Sequence, residues 1–233
     1  MKNKLLKNMN LYFKKSKFFL LLIFIVKFIA CTNNNEKDLN GNNFKTIKIG
    51  EQIWMAENLK TNKFQNGDLI LEAKNENDWI KACQKKQPVW SQYKNNAKNG
   101  EKYGKLYNYY AVIDNRGLAP LNWRIPSWED WSLLTVHSLG GECAASPKIK
   151  SKNGWIYENG SNSSGFNALP AGYLIAGGKY SGIGEDTRWW TSTECDSSQG
   201  IVGWFLFSDC VDILCSDSNI YIDGYSIRCI KNK

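Results

Sequence analysis

From Phe44 onward, apolar residues come in short runs cut by Gly, Asn, Asp and Ser, with little sustained helical period. In FKTIKIGEQIWMAENL, Phe44, Ile47, Ile49 and Ile53 are spaced by polar positions around a Gly50-Glu51 turn, which predicts two short strands. Asp78 to Lys85 predicts a short helix that stops before Pro88, and the tyrosine-rich YGKLYNYYAVID that follows is β-prone. The clearest helix start lies in RIPSWEDWSLLTVHSLGG. Ser127 can cap it with Asp130 three residues on, Trp131, Leu134 and Leu139 form its apolar stripe, and Gly140-Gly141 ends it. CAASPKIKSKNGW reads as a helix remnant and a loop. Beyond Trp155 only short β runs remain, WWTSTE, GWFLF and GYSIRCI. One main capped helix among short antiparallel strands predicts the α+β class. No repeat of solenoid or propeller length occurs.

The N-terminal end differs in kind. Phe18 to Val26 is an unbroken apolar run behind a lysine-rich start, and no acid occurs before residue 31. This is the layout of a secretory signal; the run is too short to cross a bilayer, which takes about 20 residues. It leads to Phe28-Ile29-Ala30-Cys31, and FIAC resembles the lipobox of bacterial lipoproteins, whose cysteine is acylated and becomes the new N-terminus. The resemblance implies a signal peptide over 1–30, a lipid site at Cys31, a flexible tether over 31–43 and one domain over 44–233. An ordinary signal peptide ending near a cysteine is the alternative, and Met9 could replace Met1 as the start. Either way the expected address is the bacterial cell envelope, and with the lipid the chain is membrane-anchored, periplasmic or surface-exposed.

The formal charge of +8 belongs to that leader. Its seven lysines leave 23 basic against 22 acidic residues elsewhere. No basic face remains to neutralise phosphates, so nucleic acid is not an expected partner. If Cys31 is the lipid site, Cys83, Cys143, Cys195, Cys210, Cys215 and Cys229 remain, an even set that in an oxidising compartment predicts up to three disulfides of open pairing. Zinc is disfavoured, because no CxxC occurs and the single histidine, His137, falls in the predicted helix. No metal or other cofactor is predicted.

Six blocks in order carry a family likeness: IGEQIWMAENLKT, YGKLYNYYAV, WRIPSWEDWSLL, SGFNALPAGYL, WWTSTE and GYSIRCIKN. Together they resemble the Fibrobacter succinogenes major paralogous domain, over roughly Phe44 to Asn232. The resemblance implies a C-type-lectin-like fold, similar to that of the formylglycine-generating enzymes, in which the closing strand lies beside the first. It implies no particular activity. The insert from Leu69 to Val89 with Cys83, and the pair Cys210 and Cys215, depart from the usual pattern.

That fold invites a calcium-dependent lectin, which needs converging hard oxygen ligands. Here Gln87-Pro88 is followed by Val89 and Trp190 by Thr191, so the calcium motif is absent. Glu185-Asp186 with Glu194 is read as a solvated loop edge rather than a cation site, and the glycine-rich GGKYSGIG as a loop. Sugar binding through aromatic faces stays open. Of the ten tryptophans, Trp54, Trp123, Trp131, Trp190 and Trp204 are assigned to packing, while Trp79, Trp90, Trp128 and Trp155 lie in or beside loops as candidate ligand contacts. The expected function is a non-enzymatic envelope binding or adhesion module for a glycan or an envelope protein. The alternative is a thiol-dependent enzyme using Cys210 and Cys215, whose C-x4-C spacing is that of the reactive pair in the formylglycine-generating enzymes.

Overall fold

The computed structural model describes residues 36–195, 200–206, 211–216 and 221–233. The leader and Cys31 lie outside these residues, as do Cys210 and the side chains of Cys195 and Cys215.

Within the stretch expected as tether, residues 36–43 form most of a hairpin. Strand β1 (Glu36–Lys37) pairs antiparallel with β2 (Asn43–Phe44). Asp38 closes the turn between them, its carboxylate accepting the backbone N–H groups of Asn40 and Asn42 at 2.9 Å each. The next hairpin is the predicted one: β3 (Thr46–Ile49) pairs with β4 (Gln52–Met55), from Thr46 opposite Met55 to Ile49 opposite Gln52.

After β5 (Leu71–Glu72), helix α1 (Glu76–Gln84) starts two residues earlier than Asp78 because the Asn75 side chain accepts the N–H of Asp78. Strand β6 (Val89–Ser91) follows. Two more helices follow, both capped by asparagine, and the second interrupts the segment expected to be β-prone. Asn96 caps α2 (Ala97–Tyr103), and beyond β7 (Leu106–Tyr107) Asn108 caps α3 (Tyr109–Val112) by accepting the N–H of Ala111. Strands β5, β6 and β7 form one small sheet.

Next, β8 (Trp123–Arg124) runs into α4 (Trp128–Ser132), where the predicted capping box is present. Asp130 also accepts from Arg124 Nη2 at 2.7 Å, tying the cap to β8. The helix then widens into a π-type turn over Leu133–Ser138. The expected helix remnant is a full helix, α5 (Glu142–Ile149), with Pro147 inside it.

The second half builds a five-stranded sheet from β9 (Ala171–Ile175), β10 (Lys179–Ile183), β11 (Thr187–Cys195), β12 (Gly200–Leu206) and β13 (Val211–Ser216), in the order β10-β9-β11-β12-β13. The last strand, β14 (Ile230–Lys231), pairs with β4 on one side and β8 on the other, so the sheet order is β3-β4-β14-β8. The last strand thus closes beside the β3–β4 hairpin, the one predicted from the sequence. The whole is mixed α+β with mainly antiparallel sheets.

Two large aromatic clusters fill the centre. Trp54, Trp131, Trp189, Trp204 and Phe166 form one; Tyr107, Tyr109, Trp123, Trp190, Phe205 and Tyr225 belong to the other. All five tryptophans assigned to packing are buried.

Candidate functional site

Three of the four loop tryptophans are not surface groups. Trp79, Trp90 and Trp155 are only 1%, 5% and 5% exposed. Each indole N–H donates to a carbonyl of a neighbouring irregular segment: Trp79 to Ile222 at 2.7 Å, Trp90 to Ile70 at 3.1 Å and Trp155 to Ala168 at 3.1 Å. They therefore pin loops onto the core and present no face to a ligand. Trp128 alone remains open, at 40% exposure.

The disulfide expectation is corrected at two positions. Cys83 and Cys229 are free and buried. Burial pushes the Cys83 thiol up to about 11 and moves that of Cys229 in the same direction, which disfavours the nucleophilic thiolate at neutral pH. Cys143 is not free. In the native protein, a thiol reagent such as a maleimide is expected to leave Cys83 and Cys229 unmodified and to reach both after denaturation; native labelling at either, read by peptide mass spectrometry, would contradict their burial.

The surface that does gather chemistry is built on β11. Side chains alternate along a strand, so Arg188 and Trp190 share one face of β11 while Trp189 turns to the other cluster. Arg188 lies opposite Phe205 in the β11–β12 register. Its guanidinium stands 3.3 Å above the ring of Tyr173 from β9 and 4.8 Å above that of Phe205. It also donates to Asp186 at 3.0 Å through Nε. Thus Asp186, considered above as part of an acidic edge, is turned inward to a cation, and its carboxyl is raised by burial, with Arg188 opposing.

Beside Arg188, the Tyr225 hydroxyl donates to Asp223 Oδ2 at 2.8 Å, and burial raises the Asp223 carboxyl. The Tyr225 ring packs at 4.2 Å on Trp190, whose N–H donates to the Tyr107 carbonyl at 2.6 Å. From Trp190 the ring contacts continue to Tyr109 at 5.3 Å, then to Tyr221 at 5.3 Å, and Tyr110 stacks on Tyr221 at 5.9 Å. Trp128 lies farther along β11, its backbone N–H donating to Thr193 Oγ1 at 2.9 Å. Glu194, the next residue, is exposed, and after burial it contributes most to raising the Tyr109 hydroxyl's pKa.

The result is a fixed aromatic floor of Tyr109, Trp190, Phe205 and Tyr225 with a half-buried rim of Tyr110, Tyr173, Tyr221 and Asp223. A rigid rim of ring faces beside a guanidinium and carboxylates can stack a flat or saccharide ring and hydrogen-bond its hydroxyls. Sequence reasoning missed Tyr110, Tyr173, Tyr221 and Arg188. The tyrosine-rich run from Tyr103 to Tyr110 was the one signal available, and it reads equally as strand.

Among the described residues, no cluster of three His, Cys, Asp or Glu is placed to hold a metal ion, and no helix is long and apolar enough to cross a membrane. The sequence profile of the Fibrobacter succinogenes major domain matches residues 47–231. No curated protein and no solved structure matches the chain.

Proposed function

This chain belongs to the Fibrobacter succinogenes major domain family, and we propose that it is a lipid-anchored cell-envelope module of C-type-lectin-like fold that binds glycans without calcium. The observation that carries this reading is the Tyr110–Tyr221 stack, partly open to solvent and held on the fixed floor of Tyr109 and Trp190. A sugar offers one face of C–H groups to an aromatic ring and a periphery of hydroxyls to polar side chains. Tyr110, Tyr221 and the open Trp128 supply the first need, Asp223 and Glu194 the second. Closure of β14 beside the β3–β4 hairpin supports the lectin-like fold, and the signal-like leader ending at Cys31 supports the anchor. Asp186, engaged by Arg188, is not available to a calcium ion.

Residues 34–233 form one compact unit, suited to a pull-down on insoluble and envelope polysaccharides with and without chelator. Retention is expected to survive chelation and to weaken on Tyr221→Ala or Trp128→Ala by about tenfold each, the equivalent of about 1.4 kcal/mol. No retention on any polysaccharide would overturn the glycan reading and favour an envelope protein as ligand.

A further inference from the structure

We propose that the domain lies directly on the bilayer that holds its anchor, through a rim of lysines and leucines around the N-terminal hairpin, and that the partner of this rim is an anionic phospholipid headgroup surface. The inference rests on the reading of Cys31 as the lipid site.

Length is the first argument. Glu36 opens β1, and only Thr32 to Asn35 separate that residue from Cys31. Whatever their conformation, five backbone steps reach at most about 18 Å. The β1–β2 hairpin is held to the body at both ends. Glu36 pairs with Lys231 at 2.6 Å, and the Asn40 side chain accepts from Thr61 Oγ1 at 2.7 Å and from the Asn62 N–H at 3.0 Å. The surface around β1 is therefore held within about two screening lengths of the headgroups, a screening length being about 8 Å at physiological salt.

The chemistry of that surface is the second argument. Leu69 and Leu121 are each 69% exposed. Leu69 bridges to Lys63, two residues beyond Thr61, and Leu121 adjoins Asn122, whose carbonyl accepts the N–H of Asn232 in the strand segment that carries Lys231. Lys37 is exposed on β1 itself. The acids nearby are already engaged: Glu36 by Lys231, Asp38 by its own turn and Asp68 by Arg116. Exposed leucines set beside Lys37 and Lys63, with Glu36 and Asp68 each paired to a cation, suit an interface of apolar chains beneath anionic headgroups.

The test is amine footprinting of the full chain, purified from bacterial membranes and placed on phosphatidylglycerol vesicles, against soluble residues 34–233. On the vesicles Lys37, Lys63 and Lys231 are expected to label about tenfold more slowly, while Lys94 and Lys179 keep their soluble rates, and neutral phosphatidylcholine should weaken the protection. Uniform labelling on a chain whose Cys31 is shown by mass spectrometry to be acylated would overturn the docking and leave the anchor standing. Equal protection on neutral vesicles would overturn the anionic partner. An unacylated Cys31 would overturn the anchor and the docking with it.

Discussion

Trp131→Ala is expected to destabilise the domain by about 3 to 5 kcal/mol, a large share of the 5 to 15 kcal/mol typical of a folded protein. Four rings surround the Trp131 indole: Trp54 at 4.8 Å, Trp189 at 5.3 Å, Trp204 stacked at 5.5 Å and Phe166 at 5.8 Å. They cannot collapse into the space it leaves, because two are tied elsewhere, Trp54 by its N–H to Gln52 and Trp189 by its N–H to Asn58. A residual cavity is thus built into the substitution. The Trp131 N–H itself has no partner among the described residues, so nothing polar is lost and the cost is packing alone. Trp131→Phe, which keeps most of the contacts, should therefore cost less than half as much. Urea denaturation of both variants measures this; an alanine variant within experimental error of the wild type would refute the placement of α4 against the tryptophan cluster.

The second large effect is expected at Asn58. Arg228 is 1% exposed, and burial lowers its pKa to about 9, leaving a cation at neutral pH. No salt bridge to it occurs among the described residues; its donors go to the Phe166 carbonyl and to Asn58 Oδ1, the latter at 3.1 Å from Nε and 2.8 Å from Nη2. The same oxygen accepts from Trp189 at 2.9 Å, and the Asn58 amide donates to the Tyr103 carbonyl at 2.8 Å. Asn58→Ala leaves a buried guanidinium with one acceptor, at an expected cost of about 3 to 5 kcal/mol. Combining Asn58→Leu with Arg228→Met removes the charge along with its acceptor, so the double variant should be less destabilised than the sum of its singles, with a coupling of about 0.5 to 3 kcal/mol. Additive losses in the melts would show that the charge is not what Asn58 holds.

What could be read in advance divides by range. The capping box at Ser127 and Asp130 and the β3–β4 hairpin rest on residues within a few positions of one another, and both form as predicted. The helix at Asn108 was hidden because an asparagine followed by tyrosines suits a strand as well as a cap; the choice was made when Asn108 bonded Ala111 and Val89 together. Trp79, Trp90 and Trp155 were misplaced for a longer-range reason. A tryptophan beside a loop is exposed only if no other loop covers it, and the covering carbonyls at Ile222, Ile70 and Ala168 arrive from other parts of the fold. The same holds for the candidate site, whose tyrosines come from α3, β9 and the segment before β14.

The placement of β14 has a consequence for how the molecule is made. Trp54 pairs with Ile230, and Asn58, a few residues later, waits for Arg228. The β3–β4 hairpin cannot complete its sheet until β14, some 175 residues later, has been made. Long-range closure of this kind slows folding and keeps partly formed sheet edges open meanwhile. Biogenesis of this domain therefore depends on its final strand: loss of the last ten residues would remove Arg228, Cys229 and Ile230 together, and leave β4 and Asn58 without their partners.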